Sequence, residues 1–354
     1  AAGFALRGSR RRPAWRAPPP RQLTHMIALS RVAMLAACLA GLPSAVFAES
    51  APIESRVINT FKIGSDETRF GPLEFIGGLE MVSSNRIFGS WSSIKVDPDR
   101  KHVAGVLDTG HWLTGSLVRD AQGRLSGLAD VDITPMQDRT GRSFEGKGRM
   151  DAEGLALDRG RALVSFEGNH RVDIYPRQGF ATSAAVGTLP ILIPRDELRG
   201  NRSLETVAIA PADSALKGAA VIVSEESLDD DGNVYAAILE GPLKGRFTVS
   251  RSDDFDPTDG AFLPDGDLLL LERRFNMANG IGMRIRRIAA AEIRPGSVAT
   301  GKVLMTADFG YQIDNMEGLD AFQAEDGSTH IILVSDDNHS ILQRNMMLEF
   351  RLLD

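Results

Sequence analysis

The chain has 354 residues, of which 43% are hydrophobic and 25% are charged, and its formal net charge is −7. This length suits one large domain or two smaller ones, and the negative charge argues against a nucleic-acid partner, because phosphate binding needs clustered positive charge. The single cysteine, Cys38, excludes an internal disulfide and any site built from several thiolates.

The N-terminal segment differs in composition from the rest of the chain. Residues 1–25 are rich in Arg and Pro, which predicts a disordered extension or translation from upstream of the true start. Residues 26–48 have the positive charge, apolar run and small final residues of a secretory signal peptide. We therefore expect a periplasmic or secreted protein whose domain covers residues 49–354. The alternative is a lipoprotein anchored through Cys38, since a lipobox-like Leu-Ala-Ala precedes it.

The charge of the expected domain limits its partners. Seven arginines and no acidic residue precede Glu49, so 33 Lys and Arg face 47 Asp and Glu from there onward, a net charge of −14. A polyanionic substrate would need a local basic patch or a bridging cation. We expect a monomer that acts on a small molecule, with no transmembrane span in the mature chain.

Five copies of one pattern follow, each with a small turn, usually acidic-Gly-apolar, that leads into a short strand. The copies are GSWSSIKVDPDRKHVAGVLDTGH from Gly89, DAEGLALDRGRALVSFEGNHR from Asp151, SLETVAIAP…AAVIVSEES from Ser203, PTDGAFLPDGDLLLLERRF from Pro257 and NMEGLDAFQAEDGSTHIILVSDDNH from Asn315. Their anchor residues, separated by 61, 52, 54 and 58 positions, are Ser92, Glu153, Glu205, Asp259 and Glu317. Repeats of about 50 residues built from short strands are typical of a β-propeller.

The strand pattern predicts an all-β fold with a single domain. Each copy contains a nearly continuous apolar strand, of the kind that is buried on both faces: Ala162–Val164, Ala219–Val223, Leu268–Leu271 and Ile331–Val334. Alternating segments at the two ends, Arg56–Ile63 and Met346–Leu353, predict strands that close the propeller with one shared blade. Five copies and this shared blade predict six blades. Seven is the alternative, if the stretch before Ser92 contains a degenerate copy.

The repeated acidic residue is the first candidate for function. Glu153, Glu205, Asp259 and Glu317 occupy equivalent places in their copies and are predicted to converge near the central channel. Carboxylates so placed would repel one another unless a cation neutralises them, and oxygen-rich sites suit Ca²⁺. The alternative is structural, because a repeated Glu can accept hydrogen bonds from backbone amides of the neighbouring blade.

A second set of polar residues follows the apolar strands and differs from copy to copy. The predicted catalytic residues in it are Glu167, His170, Arg171, Glu272, Arg273, Asp336 and His339. Carboxylate, His and Arg side chains at one rim could bind a metal-bridged oxyanion, with a metal-activated water as nucleophile and a carboxylate or His as general base. A surface salt-bridge network is the alternative. Serine-hydrolase elbows, His-Glu-x-x-His and phosphate-binding glycine loops are absent from the sequence.

Several of these stretches together resemble a known family. DAEGLAL, SLETVAIAP, FDPTDGAFLPDGDLLLLERRF, NMEGLDAF and SDDNHSILQRNMMLEFRL resemble the phytase-like "esterase-like activity of phytase" domain of exported bacterial proteins, from about Gly77 to Leu353. The resemblance implies a six-bladed propeller that hydrolyses phosphate or other esters, with calcium as a candidate cofactor. It supplies no catalytic set, so the site residues are those named above.

The functional hypothesis is a divalent-cation-dependent ester or phosphomonoester hydrolase. Two alternatives stay open, because one propeller fold hosts many activities. One is a non-catalytic periplasmic propeller that binds a ligand or a protein. The other is a lactonase or sugar-oxidising propeller.

Overall fold

A computed structural model describes residues 48–144, 147–276 and 280–353. The predicted N-terminal extension, nearly all of the predicted signal peptide and Cys38 lie outside these residues. Within the described ranges, no helix has the length and apolar character needed to cross a membrane.

The described residues form 24 strands and three short helical turns. The strands before the first repeat are β1 (Glu49–Ser50), β2 (Ile53–Ile58), β3 (Arg69–Phe70) and β4 (Leu73–Ser83). The next eight are β5 (Trp91–Val96), β6 (His102–Leu107), β7 (His111–Arg119), β8 (Leu125–Pro135), β9 (Ala152–Leu157), β10 (Arg161–Phe166), β11 (Arg171–Pro176) and β12 (Gly187–Leu189). The third and fourth repeats contain β13 (Thr206–Ile209), β14 (Ala220–Leu228), β15 (Val234–Ile238), β16 (Gly245–Val249), β17 (Asp256–Phe262), β18 (Leu268–Asn276), β19 (Gly280–Ile288), β20 (Val298–Ala299) and β21 (Lys302–Ala307). The last strands are β22 (Asn315–Gln323), β23 (Thr329–Asp336) and β24 (Asn345–Leu352). An α-helical turn covers Lys147–Met150, and 3₁₀ turns cover Phe180–Thr182 and Ala290–Glu292.

These strands form five sheets, which are the blades of a propeller. From the outer to the inner edge, blade 1 is β1-β8-β7-β6-β5 and blade 2 is β12-β11-β10-β9. From the inner edge outward, blade 3 is β13-β14-β15-β16-β20 and blade 4 is β17-β18-β19-β21. Blade 5 runs β22-β23-β24-β4-β2, with β3 paired to β4. The innermost strands β5, β9, β13, β17 and β22 contact one another in that order, and β22 contacts β5, which closes the ring.

The described part of the chain therefore has five blades, and the prediction of six is wrong. The fifth repeat provides β22 and β23, and the two termini complete the same sheet through β24, β4 and β2. The sequence count treated this blade twice, once as a repeat and once as the shared terminal blade. The prediction that strands from both ends close one blade is confirmed.

The apolar middle strands bury both faces, as predicted. Leu268 and Leu270 pack into the cluster shared with blade 3, while Leu269 and Leu271 pack into the cluster shared with blade 5. Because successive side chains of a strand point to opposite faces, this alternation joins each blade to its two neighbours. The apolar residues of the stacked blades thereby form five clusters, one between each pair of neighbouring blades.

The N-terminal strand is shifted from its predicted position. It ends at Ile58, and Phe61, which was expected in the strand, is fully buried instead. The ring of Phe61 lies 5.1 Å from that of Phe70 and 5.0 Å from that of Phe350, measured between centroids. Aromatic pairs at this spacing add packing energy that a continued strand would lose.

Candidate functional site

The inner strands begin around a cavity of about 200 Å³ on the propeller axis. Eight carboxylate side chains line it: Asp108, Asp151, Glu153, Glu167, Glu205, Glu225, Glu317 and Asp336. Two arginines, Arg202 and Arg273, line the same cavity. We call this cavity, with the ten charged side chains that line it, the axial cavity. Its wall carries far more negative than positive charge, so the carboxylates must be neutralised by protons, by the arginines or by a bound cation.

Bulges in the inner strands direct the repeated side chains toward the axis. The pairing register of β22 with β23 shifts between Met316 and Gly318, which leaves Glu317 in a bulge. A similar shift occurs at the start of β9, where Glu153 lies. A β-bulge changes the direction in which a side chain points, and such bulges are common next to functional sites.

Asp259 is not part of the axial cavity, although the sequence grouped it with the other three acids. In blade 4 the bulge falls between Pro257 and Asp259, so Thr258 takes the place that Glu317 has in blade 5. The Asp259 side chain is fully buried, and its Oδ2 accepts a hydrogen bond from Lys95 Nζ at 3.1 Å. The structure thus brings Glu153, Glu205 and Glu317 to one cavity and gives Asp259 a structural ion pair.

Glu153 and Glu205 are the carboxylates with the least compensation. Among the described residues, neither carboxylate receives a hydrogen bond or a salt bridge; Glu153 is partly exposed, whereas Glu205 is only 9% exposed and interacts with the charge of Arg273 at longer range. Burial raises the pKa of both well above the ordinary value, and neighbouring carboxylates raise it further. Oxygens of Glu153, Asp151 and Glu167 all lie within 4.8 Å of one another. This part of the cavity has the composition of a cation site.

Arg273 supplies the positive charge at the opposite wall. Its Nη1 donates to Asn315 Oδ1 at 2.5 Å and to Glu317, and its Nη2 donates to Glu225 Oε1 at 3.1 Å. Burial raises the pKa of Glu317 to about 8 and that of Glu225 to about 7, against the lowering effect of Arg273. The guanidinium of Arg273 in blade 4 is therefore fixed by three partners from two other blades, Asn315 and Glu317 of blade 5 and Glu225 of blade 3.

Glu167 lines the axial cavity, and His170 lies nearby but outside the lining. Glu167 Oε2 accepts the backbone N–H of Arg202 at 2.9 Å, and its Oε1 accepts that of Ser203. His170 Nδ1 lies 2.9 Å from Ser203 Oγ, and burial lowers the pKa of His170 despite the opposing charge of Glu167. Ser203 is fully buried, so these contacts hold the start of blade 3 against blade 2.

The remaining predicted catalytic residues divide between the cavity and other places. Asp336 lines the cavity, where its Oδ1 accepts the N–H of Asn338 at 2.6 Å. Arg171 pairs with Asp173 at 2.7 Å and lies over the ring of Phe166, outside the cavity. Glu272 and His339 also lie outside the cavity. Glu272 is enclosed by two arginines of β19, and His339 is exposed in the loop that follows β23.

Glu272 belongs to a buried salt-bridge network inside blade 4. Arg284 Nε donates to Glu272 Oε2 at 2.5 Å, and Arg286 donates to the other oxygen. All three side chains are at least nine-tenths buried. The network is buried within blade 4, so it differs from the surface salt-bridge network that the sequence left open as the alternative.

Sequence reasoning missed Asp151 and Arg202 as cavity residues. Asp151 stands two positions before Glu153, and Asn315 has the same relation to Glu317. The recurrence of a polar residue two positions before the repeated Glu in two copies was therefore a usable signal. Arg202 offered none, because it comes from an irregular segment before β13.

The other end of the axis has a separate cavity of about 480 Å³, lined by residues near the ends of the inner strands. Lys95 separates it from the core: its Nζ donates to Asp259 and, at 2.6 Å, to the carbonyl of Leu319. Asp320 accepts the N–H of Val96 at 2.8 Å, and burial raises its pKa to about 6, although Lys95 opposes the rise. We call the group of Lys95, Asp259 and Asp320 the Lys95 network.

Comparison with known proteins gives the family of the chain. The solved structures that match include "Structure of U3-55K", at 12% identity and a TM-score of 0.42, with 75% of this chain and 96% of that one covered. The RRP9 WD40 repeats match at 12% identity and a TM-score of 0.43, with 81% and 100% covered. Likeness at this level carries no functional argument, and no curated protein matches the sequence. Residues 86–339 match the phytase-like family, described as "Esterase-like activity of phytase". The chain therefore belongs to the phytase-like family.

Proposed function

We propose that this protein is a divalent-cation-dependent hydrolase of esters or phosphate monoesters, with its reaction centre at the axial cavity. The observation that carries the proposal is the state of Glu153, which is partly exposed, and Glu205, which is buried: neither carboxylate receives a hydrogen bond or an ion pair from the described residues. Such groups are costly unless something neutralises them, and functional sites are where that cost is commonly found. Membership of a family described by esterase-like activity supports the same reaction class.

The residues fit calcium by donor type and by spacing. The axial cavity offers carboxylate oxygens and no thiolate, which is the donor set of a hard cation. Two oxygens bound to one Ca²⁺ at about 2.5 Å can be no more than about 5 Å apart. The oxygens of Asp151, Glu153 and Glu167 lie within 4.8 Å of one another, so they satisfy this limit.

The chain's own residues would position the substrate. A bound divalent cation would polarise the ester or phosphoryl oxygen as a Lewis acid. Arg273, held by Asn315, Glu225 and Glu317, presents a fixed positive charge toward oxygens that become negative in the transition state. Glu225 lines both the axial cavity and the cleft beside it, and this position supports a role as the general base that takes a proton from an attacking water.

The test is hydrolysis of 4-nitrophenyl acetate, 4-nitrophenyl phosphate and phytate by the folded protein, with added Ca²⁺ and after treatment with a chelator. We expect turnover of at least one substrate, loss of turnover on chelation and recovery with Ca²⁺. Glu153→Gln should abolish the turnover that depends on calcium. Glu240→Gln, which changes a partly exposed ion pair with Arg161, should retain that turnover.

Calorimetric titration with Ca²⁺ separates the remaining outcomes. Absence of both turnover and calcium binding would overturn the proposal. Calcium binding without turnover on any substrate would instead favour the non-catalytic ligand-binding propeller.

A further inference from the structure

A cleft of about 950 Å³ opens beside the axial cavity. The two share Arg202, Glu225, Arg273 and Asn338 as lining residues, so a ligand in the cleft can reach the axial cavity. Small-molecule sites are commonly concave spaces of about 300–1,000 Å³, and this cleft falls within that range. We call it the side cleft.

The side cleft has an apolar rim. Phe275 is 79% exposed, Phe309 is 67% exposed and Leu342 is 87% exposed, and all three line the cleft. Within the described residues, Phe275 and Phe309 are the only exposed side chains of Phe, Trp or Tyr. Single exposed apolar residues are ordinary, but their concentration at one concave site indicates ligand contact.

The position of Phe309 depends on a glycine. Gly280 has a φ of +67°, and a Cβ atom at this position would overlap the Phe309 ring at 1.9 Å. The ring thus lies directly against the backbone of β19, where only glycine leaves room for it. Contact with Gly280 therefore fixes the Phe309 ring at the wall of the cleft.

The charges of the side cleft are already paired. Arg202 donates to Glu226 at 2.6 Å and Arg251 donates to Asp256 at 2.5 Å. Arg273 is bound by Glu225, as described above, and Arg344 lies 3.4 Å from Asp314. Four arginines therefore face five carboxylates in the lining, and the axial cavity beyond them is more acidic still. A polyphosphate would meet repulsion here.

We infer that the side cleft binds the apolar acyl or aryl group of an uncharged ester and directs its ester bond to the axial cavity. This inference rests on the proposed function and narrows it to substrates with a sizeable hydrophobic group. The apolar rim supplies the contact, and the paired charges exclude polyanions such as inositol phosphates. The acetyl group of a minimal ester would leave most of the cleft unfilled.

The first experiment is an acyl-chain series of 4-nitrophenyl acetate, butyrate and octanoate on the full chain with Ca²⁺. We expect kcat/KM to rise with chain length, by at least about tenfold between acetate and octanoate, because each buried methylene adds binding. Phe275→Ala and Phe309→Ala should each lower the octanoate-to-acetate ratio severalfold. Val186→Ala, which truncates a 66% exposed residue outside the cleft, is the control and should leave the ratio unchanged.

The second experiment measures binding without turnover, with 4-nitrophenyl octyl ether as an ester mimic that cannot be hydrolysed. We expect calorimetric binding to the wild type and weaker binding to both Phe variants. If the octyl ether binds but no ester is hydrolysed, the proposed function is wrong, and the side cleft binds an apolar ligand. If kcat/KM for ester hydrolysis does not depend on chain length, or if phytate is the preferred substrate, the inference about the side cleft is wrong but the proposed hydrolase function stands. Absence of ether binding would also overturn the inference.

Discussion

Arg273 of blade 4 donates from Nη2 to Oε1 of Glu225 in blade 3 at 3.1 Å, and this ion pair crosses the blade boundary at the axis. Arg273→Gln would leave Glu225 and Glu317 close together without their shared cation. Breaking a largely buried pair from one side is expected to cost about 3 kcal/mol of unfolding free energy. Chemical denaturation at neutral pH measures this loss.

The control for Arg273→Gln is Arg161→Gln. Arg161 pairs with Glu240 in a contact where both side chains are more than a fifth exposed, so its loss should cost less than about 1 kcal/mol. Equal losses in the two variants would show that Arg273 has no special part in the axial cavity.

The effect of Glu153→Gln and of Glu205→Gln on the unfolding temperature is expected to depend on whether a divalent cation is bound. In the presence of chelator, each variant should unfold at a higher temperature than the wild type, because it removes a carboxylate whose ionisation is opposed by burial and by the neighbouring carboxylates. With excess Ca²⁺, the wild type should gain stability through binding, and the variants should gain much less. Thermal unfolding in the two buffers measures both effects, with Glu240→Gln as the control. An unchanged calcium response in the variants would contradict a cation site at these residues.

The fold was predictable from the sequence to the level of the repeat. The apolar run Leu268–Leu271 indicated a strand buried on both faces, and its side chains do alternate between two clusters. Blade number was not predictable in this way, because β22 and β23 look like a complete repeat although β24, β4 and β2 complete their sheet. A hydrogen-bond pairing between distant segments leaves no local mark in the sequence.

The site was predictable where side-chain spacing and backbone register agreed. Glu153, Glu205 and Glu317 do meet at the axial cavity. Asp259 was aligned with them through its Asp-Gly pair, but the bulge in blade 4 falls one residue earlier, at Thr258. A one-residue change of register moves a side chain to the other face, and identity of residue type could not reveal it.

Gly154 sets the distance between blades 2 and 3 at the axis. A Cβ atom here would lie 2.4 Å from the carbonyl oxygen of Glu205 and 2.7 Å from the amide nitrogen of Val207. Both are backbone atoms and cannot move independently, so Gly154→Ala should separate the two inner strands. We expect a loss of about 2–3 kcal/mol in unfolding free energy, typical of an overpacked core. Gly200→Ala, at a position with no atom within 4 Å, is the control and should be nearly neutral. A stable Gly154→Ala variant with unchanged calcium response would contradict this account.

Asp320 in the Lys95 network predicts a pH dependence of stability. Burial raises its pKa from 3.8 to about 6 in the folded protein, with Lys95 opposing the rise and Asp259 adding to it. Between these two values the folded state binds more protons than the unfolded state, so this group makes stability fall as pH rises from about 4 to about 6. Since one pH unit corresponds to about 1.4 kcal/mol, its contribution is at most about 3 kcal/mol.

Asp320→Asn should remove that contribution while keeping an oxygen that can accept the N–H of Val96. Lys95 retains Asp259 as its ionic partner in the variant. Unfolding free energies measured at pH 4, 5, 6 and 7 should therefore show the variant gaining on the wild type as pH rises, with most of the gain complete by about pH 6. The exposed Asp230, in the turn between β14 and β15, provides the control as Asp230→Asn, which should track the wild type at every pH. If the difference in unfolding free energy between Asp320→Asn and wild type is the same at pH 4 and pH 7, folding does not raise the pKa of Asp320, and this account of the Lys95 network is wrong.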